Sequence, residues 1–570
     1  MKNKWVILLI VIGLLLYFNS LFNGFVWDDE EQVLNNLPVH SIGNIFQFFS
    51  ESTFNSGGSG TLGGLYYKPL MTVFFSLIYT VFGPNAFFFH LLQVSIHLAS
   101  SVIVFLILKR ILKKETLSFF LALIFLVHPL NTETVVYISD LQDILFFFFG
   151  VLGLNYATKG IISLKRWLIL TGLLLASLLS KETGVGFIII IGAYFLFFKR
   201  HELLRYIGAI CTVAGVYSFL RFVVAGIFFN KHGLSPITVM PLSERILSIP
   251  KIIFSYLKTF VFPKNLAINQ HWAVKSLTWN NFTMPLMVDL TLFVILVSIA
   301  AILWKKKSED LKAYLFFFVW FTTGLGMHLQ IFPLDLTYSD RWFYLPMVGL
   351  LGMAGTIFAN SKIENSLKIG TWKLKIFTAC LLVIILALSA RTFIRNFDWK
   401  DGLTLYGHDI KVSQNSFDLE NNYGVELFRH GQMDEAAIHF EKSAQLAPKW
   451  WTNWNNLGVV AERRGDYQKA KEYYKKAIDN GQYYLAYENY ANILLFQDKD
   501  NQKARDFTTE SLKLLPYNAK LWLILTIADY NLKKTDEALM AARQAYLLSP
   551  SDQTAYVYSR LSQNQPLEIK

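Results

Sequence analysis

The stretch NGFVWDDEE, which begins at Asn23, sets four consecutive carboxylates, Asp28 to Glu31, just after an apolar run from Trp5 to Phe22. Acids this close repel one another, so their pKa values separate and one member stays ionised. An ionised carboxylate there could take a proton from a hydroxyl group, which is general base chemistry. Arg221 is the second unusual position, a lone arginine inside AGVYSFLRFVVAGIFF. A charge in an apolar run is costly, so its default reading is a functional or paired group. Snorkelling of the guanidinium to lipid headgroups is the alternative. Lys68, Lys181 and Arg341 also border apolar runs and could hold an anion, although the adjacent Glu182 and Asp340 offer Lys181 and Arg341 plain ion pairs. His128, Glu133 and Asp143 cluster after another run. No Cys/His spacing typical of zinc accompanies them, and proline in "HPL" could simply end a helix.

The elements that must position these groups are membrane helices. The chain has 570 residues, 53% of them hydrophobic and 16% charged. Apolar runs lie at 5–22, 86–108, 117–132, 141–157, 167–180, 184–198, 203–228, 285–304, 313–331, 342–359 and 374–390. Such runs mark a polytopic membrane protein of about eleven spans. The net charge of +12 does not indicate nucleic acid, because the Lys/Arg clusters sit between apolar runs as positive-inside loops do. These clusters are Lys109/Arg110/Lys113/Lys114, Lys165/Arg166, Lys199/Arg200, Lys305 to Lys307 and Lys362/Lys368/Lys373/Lys375. Placing them all in the cytoplasm puts the N-terminus inside, with the first run as a retained helix rather than a signal peptide. Segments 246–262 and 68–83 are then re-entrant or interfacial. The polar residues named above gather on the extracytoplasmic face, as does everything after residue 391. Cys211 and Cys380 lie inside apolar runs and suggest neither a disulfide nor a metal site.

The last third has a period of 34 residues, seen in Ala436, Ala470, Ala504 and Ala538. Pro448, Pro516 and Pro550 follow the same period, with Gln482 in the remaining place, and Gly424 and Gly458 are 34 apart. This is the tetratricopeptide pattern of paired antiparallel helices. The expected fold is therefore all-α, in two parts. Residues 1–395 form the membrane domain, 396–418 a linker or first soluble helix, and 419–570 an α-solenoid. Its repeats fall near 419–452, 453–486, 487–520 and 521–554. Such a solenoid binds an extended peptide or packs on its neighbour.

Several motifs, taken in order, carry a resemblance to a known family. They are FVWDDEEQVLNN, YYKPL at 66–70, HPLNTETV at 128–135, DLQDIL at 140–145, SKETG at 180–184 and DRWFYLPMVG at 340–349. Together with the repeats, this set resembles the transmembrane-and-tetratricopeptide-repeat protein O-mannosyltransferases and their bacterial relatives of the GT-C glycosyltransferase type. Lys68 stands where the family has arginine, Asn131 where a second histidine is common, and Leu141 where arginine is expected.

The resemblance implies transfer of a sugar, mannose or a similar hexose, from a polyprenyl-phosphate donor to an extracytoplasmic acceptor. The acceptor would be Ser/Thr hydroxyls of protein engaged by the repeats, and the reaction would be inverting. It implies Asp28 and Asp29 as the catalytic pair. Arg221, Lys181, Arg341 and Lys68 would be donor-phosphate ligands, with His128, Glu133, Asp143, Glu182 and Tyr344 as secondary polar residues. A divalent cation, magnesium or manganese, is compatible with this chemistry and is not required by it. The setting would be a bacterial inner membrane facing the periplasm, or alternatively an endoplasmic reticulum membrane facing the lumen. Three other functions compete. An O-antigen-ligase-like transferase would leave the first-loop acids unexplained. A non-enzymatic scaffold presenting the repeats would not explain why polar residues collect on one face. A transporter would place its charges nearer mid-span.

Overall fold

The computed structural model describes residues 4–53, 66–161, 163–228, 235–360 and 372–567. Lys362 and Lys368 of the last basic cluster lie outside them. The described residues are all-helical apart from one isolated antiparallel bridge between Gln270 and Tyr338. The main division of the chain into two compact units falls between Asn415 and Ser416.

Every apolar run in the first unit contains a helix, because long uncharged segments satisfy their backbone only internally. Its main helices are, in chain order, α1 (Lys4–Tyr17), α2 (Pro69–Phe82), α3 (Ala86–Leu112), α4 (Glu115–Val127), α5 (Thr132–Val136), α6 (Leu141–Ala157), α7 (Leu164–Ser180), α8 (Val185–Phe198), α9 (Leu203–Ser218), α10 (Ile249–Val261), α11 (Met284–Lys305), α12 (Asp310–Gly326), α13 (Tyr344–Asn360), α14 (Trp372–Asp398) and α15 (Gly402–Val412), with shorter ones at Ile45–Ser50, Pro236–Val239 and Leu242–Ile246. Six of the described helical stretches are long and apolar enough to cross a bilayer. A seventh forms if α4 and Pro129–Val136 are one span bent by 50°. At 13 or 14 residues, α1, α2, α8 and α10 are each about 20 Å long, shorter than a hydrocarbon core of about 30 Å.

Three local features shape the face where the acids collect. Pro129 ends α4, and short turns lead through α5 to α6, so the chain folds back within a few residues. Beyond α9 the helix widens into a π-turn, Phe219–Val224, that carries Arg221. Helices α12 and α13 approach closely, since a Cβ on Gly349 would lie 2.4 Å from the Phe321 backbone nitrogen. Residues 396–415 belong to this first unit. Arg395 donates to both oxygens of Asp409 at 2.7 and 3.0 Å, and Asp409 also accepts from the Ile268 backbone N–H at 2.9 Å.

The second unit is a series of helix pairs: α16 (Phe417–Arg429) with α17 (Met433–Leu446), α18 (Trp451–Arg463) with α19 (Tyr467–Asn480), α20 (Tyr484–Asn492) with α21 (Asn501–Leu514), and α22 (Ala519–Asn531) with α23 (Thr535–Leu548). Helix α24 (Asp552–Ser562) follows, started by a capping box at Ser551 and Thr554. The periodic alanines 436, 470, 504 and 538 are fully buried. Within the first two pairs a glycine faces an aromatic ring, Gly424 against Phe440 and Gly458 against Tyr474. In the third and fourth pairs the ring is replaced by Thr508 and Ala542, and the glycine by Asn492 and Thr526.

A Cβ on Gly458 would lie 2.4 Å from the Tyr474 ring. Gly458→Ala should therefore destabilise the second unit by about 1–3 kcal/mol. Adding Tyr474→Ala to that variant should relieve the clash, so the two changes should cost less together than the sum of the single changes. Denaturant unfolding of the four variants in the intact chain measures this.

Candidate active site

Trp27 adopts a left-handed backbone, φ +56°, a strained conformation for a bulky residue. Its ring stacks on Tyr137 with centroids 5.2 Å apart, and Tyr137 stacks in turn on Trp399 at 5.5 Å. The turn sends the two following aspartates to different places. Asp29 is fully buried, and both its oxygens are used: Oδ2 accepts from the Val26 backbone N–H at 2.9 Å and Oδ1 from that of Ser139 at 2.7 Å. It therefore ties the first loop to the turn before α6. Asp28 is half-buried, beside the Tyr137 phenol. Burial pushes the Asp28 carboxyl up to about 6, against the pull of Tyr137, Arg341 and Lys68. Burial raises Asp29 to about 7, opposed by its bonds to Val26 and Ser139.

Three of the four expected cations arrive already paired. Lys181 Nζ donates to both oxygens of Asp143, at 2.7 and 2.6 Å. Arg341 lies 3.2 Å from Glu133 and 3.7 Å from Asp140, while the Arg341 backbone N–H and the Ser339 hydroxyl also donate to Glu133. Arg221 donates to Glu182 and to the Tyr217 hydroxyl, both at 2.8 Å. The pairing differs from the neighbour-to-neighbour one that the sequence offers, since Lys181 does not take Glu182 and Arg341 does not take Asp340. Instead Asp340 Oδ2 accepts from the Ala267 backbone N–H at 3.2 Å.

Lys68 is different. It is buried, its Nζ lies 4.3 Å over the Tyr66 ring, and among the described residues no carboxylate forms a salt bridge with it. Burial pulls its pKa down to about 8, and the charges acting on it are Glu182, Lys181, Asp143 and Arg341. Asp28, Lys68, Asp143, Lys181, Glu182 and Arg341 thus form one electrostatic cluster. Arg221 and Glu133 join it through their partners.

Two expected residues stand apart. His128 caps the Pro129–Asn131 turn: its Nδ1 accepts from the Leu130 N–H at 3.2 Å, leaving Nε2–H to donate to the Phe260 carbonyl at 2.9 Å. His97 must donate from Nε2 to the Leu126 carbonyl, so the Tyr344 hydroxyl donates to His97 Nδ1, at 2.7 Å. Tyr344 thus serves the helix core, packed against Phe125 and Phe147. Four further residues reach the cluster without having been singled out in the sequence: Tyr66, Tyr137, Asp140 and His328. Asp140 had a signal, since it lies three residues before Asp143 and so shares its helix face. His328 donates from Nδ1 to the Gly324 carbonyl at 3.0 Å, stacks on Trp342, and feels the charges of Lys181, Asp143 and Arg341. Among the described residues no group of three or more His, Cys, Asp or Glu side chains is disposed to hold a metal ion.

The different surroundings of the two aspartates separate their roles. Asp29→Asn would turn an amide N–H₂ toward one of two backbone N–H donors, and should destabilise the first unit by about 1–3 kcal/mol. Asp28→Asn should leave stability nearly unchanged. Thermal unfolding of both variants in detergent tests the distinction, and the opposite order would refute it.

The tetratricopeptide repeat family matches residues 451–480. The human protein O-mannosyl-transferase TMTC3 is 26% identical over 483 residues, covering 78% of this chain and 52% of its own. The Caenorhabditis elegans protein O-mannosyl-transferase F38B6.6 is 23% identical over 454 residues, covering 78% of this chain and 63% of its own. A solved structure, the tetratricopeptide repeat protein YrrB, aligns with 28% of this chain and 82% of its own at 15% identity and a TM-score of 0.24. The chain spans about half to two thirds of the length of these two O-mannosyl-transferases, and its similarity to such enzymes extends over 78% of its own length.

Proposed function

We propose that this chain is a multi-pass membrane glycosyltransferase that moves a hexose, mannose or similar, from a polyprenyl-phosphate donor to Ser/Thr hydroxyls of an extracytoplasmic protein. The observation that carries this reading is the pairing, in one cluster, of a half-buried carboxylate, Asp28, with a buried lysine, Lys68, that forms no salt bridge among the described residues. Relatives named as protein O-mannosyl-transferases support the reaction class.

Asp28 takes the proton of the acceptor hydroxyl as its oxygen attacks the anomeric carbon. The bond from that carbon to the phosphate oxygen breaks, and its electron pair leaves on the phosphate. Attack from the face opposite the leaving group inverts the anomeric centre. Lys68 stabilises the charge that develops on the phosphate, which is worth most in a water-poor site. Lys181, Arg341 and Arg221 add a positive field, but each is already committed to a carboxylate. Lys68 therefore takes precedence over Arg221 as the direct phosphate ligand. Asp29 acts through Asp28, as a positioning residue. The alternation of basic clusters supports an extracytoplasmic position for this face and for the repeats after the last span. A bacterial inner membrane fits best, with the endoplasmic reticulum lumen as the equivalent eukaryotic setting.

Transfer by the purified protein, with a polyprenyl-phosphate hexose and a Ser/Thr peptide, tests the roles. Asp28→Asn should lower turnover by about 10²–10⁴-fold, or about 3–5 kcal/mol in the barrier. Glu31→Gln should lose less than about tenfold, as a charge outside the proton path. Near-normal turnover in Asp28→Asn would overturn the assignment. A periplasmic phosphatase fused after Lys570 should be active, and an inactive fusion would reverse the topology.

A further inference from the structure

Gln142 is a buried polar side chain to which neither the base nor the phosphate cation gives a role. It stands in the first turn of α6, one residue before Asp143, and is 8% exposed. Its Oε1 has no hydrogen-bond partner. Its Nε2 reaches Asp140 Oδ1 at 3.5 Å, the outer limit of such a bond. Thr183 repeats the pattern. It lies on the turn Glu182–Gly184, which packs against α6, and its buried Oγ1 also has no partner. The residues next to these two are committed, Asp143 to Lys181 and Glu182 to Arg221. Two unsatisfied neutral groups therefore border an ion pair whose members, Asp143 and Lys181, both act on Lys68.

A buried acceptor that receives no hydrogen bond bears the full cost of its desolvation, and folded proteins keep few such groups. A ligand that donates to them removes the cost. The chemistry of the free atoms narrows the choice of ligand. Both are oxygens with lone pairs, so they require a donor. An ionised phosphate has no hydrogen to donate, and a polyprenyl chain has no polar atom. An acceptor Ser/Thr side chain brings one hydroxyl, which Asp28 uses. A hexose carries several hydroxyls side by side, each of them both donor and acceptor. A carboxamide matches two adjacent hydroxyls, since its oxygen accepts from one while its N–H donates to the other. The Thr183 hydroxyl can take a third. The hexose is joined directly to the phosphate, so it must lie beside the groups that surround Lys68.

We propose that Gln142 and Thr183 form a subsite for the hydroxyl groups of the donor hexose, and that Gln142 sets which hexose is accepted. The subsite rests on the reading of Lys68 as the ligand of a hexosyl phosphate, and it names the residues that read the sugar. Neither residue contacts the bond that breaks. A site built to hydrogen-bond a hydroxyl rejects an analogue that lacks it, because its own buried group is then left unpaired.

The test uses the full chain in lipid nanodiscs, without acceptor peptide, and displacement of a fluorescent polyprenyl phosphate. The competitors are unlabelled polyprenyl phosphate, its mannosyl, glucosyl and galactosyl forms, and the monodeoxy analogues of whichever hexose binds best. That hexosyl phosphate should bind about tenfold or more tightly than polyprenyl phosphate, and removing one or two adjacent hydroxyls should weaken it about fivefold or more. Gln142→Leu, of similar size, should weaken the parent donor by a similar factor. It should change binding of the sensitive deoxy analogue, and of polyprenyl phosphate, by less than about twofold. Thr183→Val, at a half-buried position, should also weaken the parent donor and spare polyprenyl phosphate, which keeps the question answerable if Gln142→Leu disturbs folding. A flat deoxy series would overturn the subsite. So would equal losses for every ligand in both variants, the result expected if these groups hold only water or packing. Those outcomes leave Lys68 as the phosphate ligand, whereas failure of polyprenyl phosphate itself to bind would overturn that reading together with the subsite.

Discussion

Charges withdrawn from water must find partners, and that constraint organises the polar face of the first unit. Each paired cation bridges segments far apart in the chain: Lys181 to Asp143, Arg341 to Glu133 and Asp140, Arg221 to Glu182. Removing one partner from such a pair leaves an uncompensated buried charge, which costs several kcal/mol. The ends of α6, α7, α9 and α13 are thereby locked to one another and to the turn around α5. Against this neutralised background Lys68 forms no salt bridge among the described residues and has an aromatic face beneath its ammonium group. These ion pairs set the geometry of the face, and Lys68 is the exception to them among the described residues.

The same reasoning separates the two aspartates. A carboxylate whose oxygens are both saturated by backbone N–H groups is a bracket, and Asp29 is one. A carboxylate raised to about 6 by burial, yet within reach of positive charge, is ionised near neutrality and still basic enough to take a proton. The strained Trp27 separates the two roles within consecutive residues, and the stack of Trp27, Tyr137 and Trp399 supports the strain.

How much of this was legible in the sequence follows from the range of the interactions. Apolar runs and the 34-residue period are local properties, so the helices of both units lie where the sequence puts them. Lys68, Lys181, Glu182, Asp143 and Arg341 could also be picked out as unusual, and they do converge. Their partners could not be read, because adjacent residues on a helical turn point in different directions. Lys181 therefore turns away from Glu182 toward a residue 38 positions earlier. Arg341 reaches back 208 positions to Glu133. His128 and Tyr344 looked chemical by type, but a proline turn and a buried histidine claim them. Tyr137 carried no signal at all, since its importance comes from the ring of Trp27 lying flat against it.

The most direct measurement of the central claim, that Asp28 and Lys68 work as a base and a phosphate-binding cation, is the pH dependence of kcat/KM for transfer. Asp28 must be ionised, so activity should rise through about pH 6, and Lys68 must be protonated, so activity should fall above about pH 8. Lys68→Arg should move the falling limb to higher pH and leave the rising limb in place. A profile that is flat from about pH 5 to about pH 9, or a falling limb unmoved by Lys68→Arg, would contradict the account.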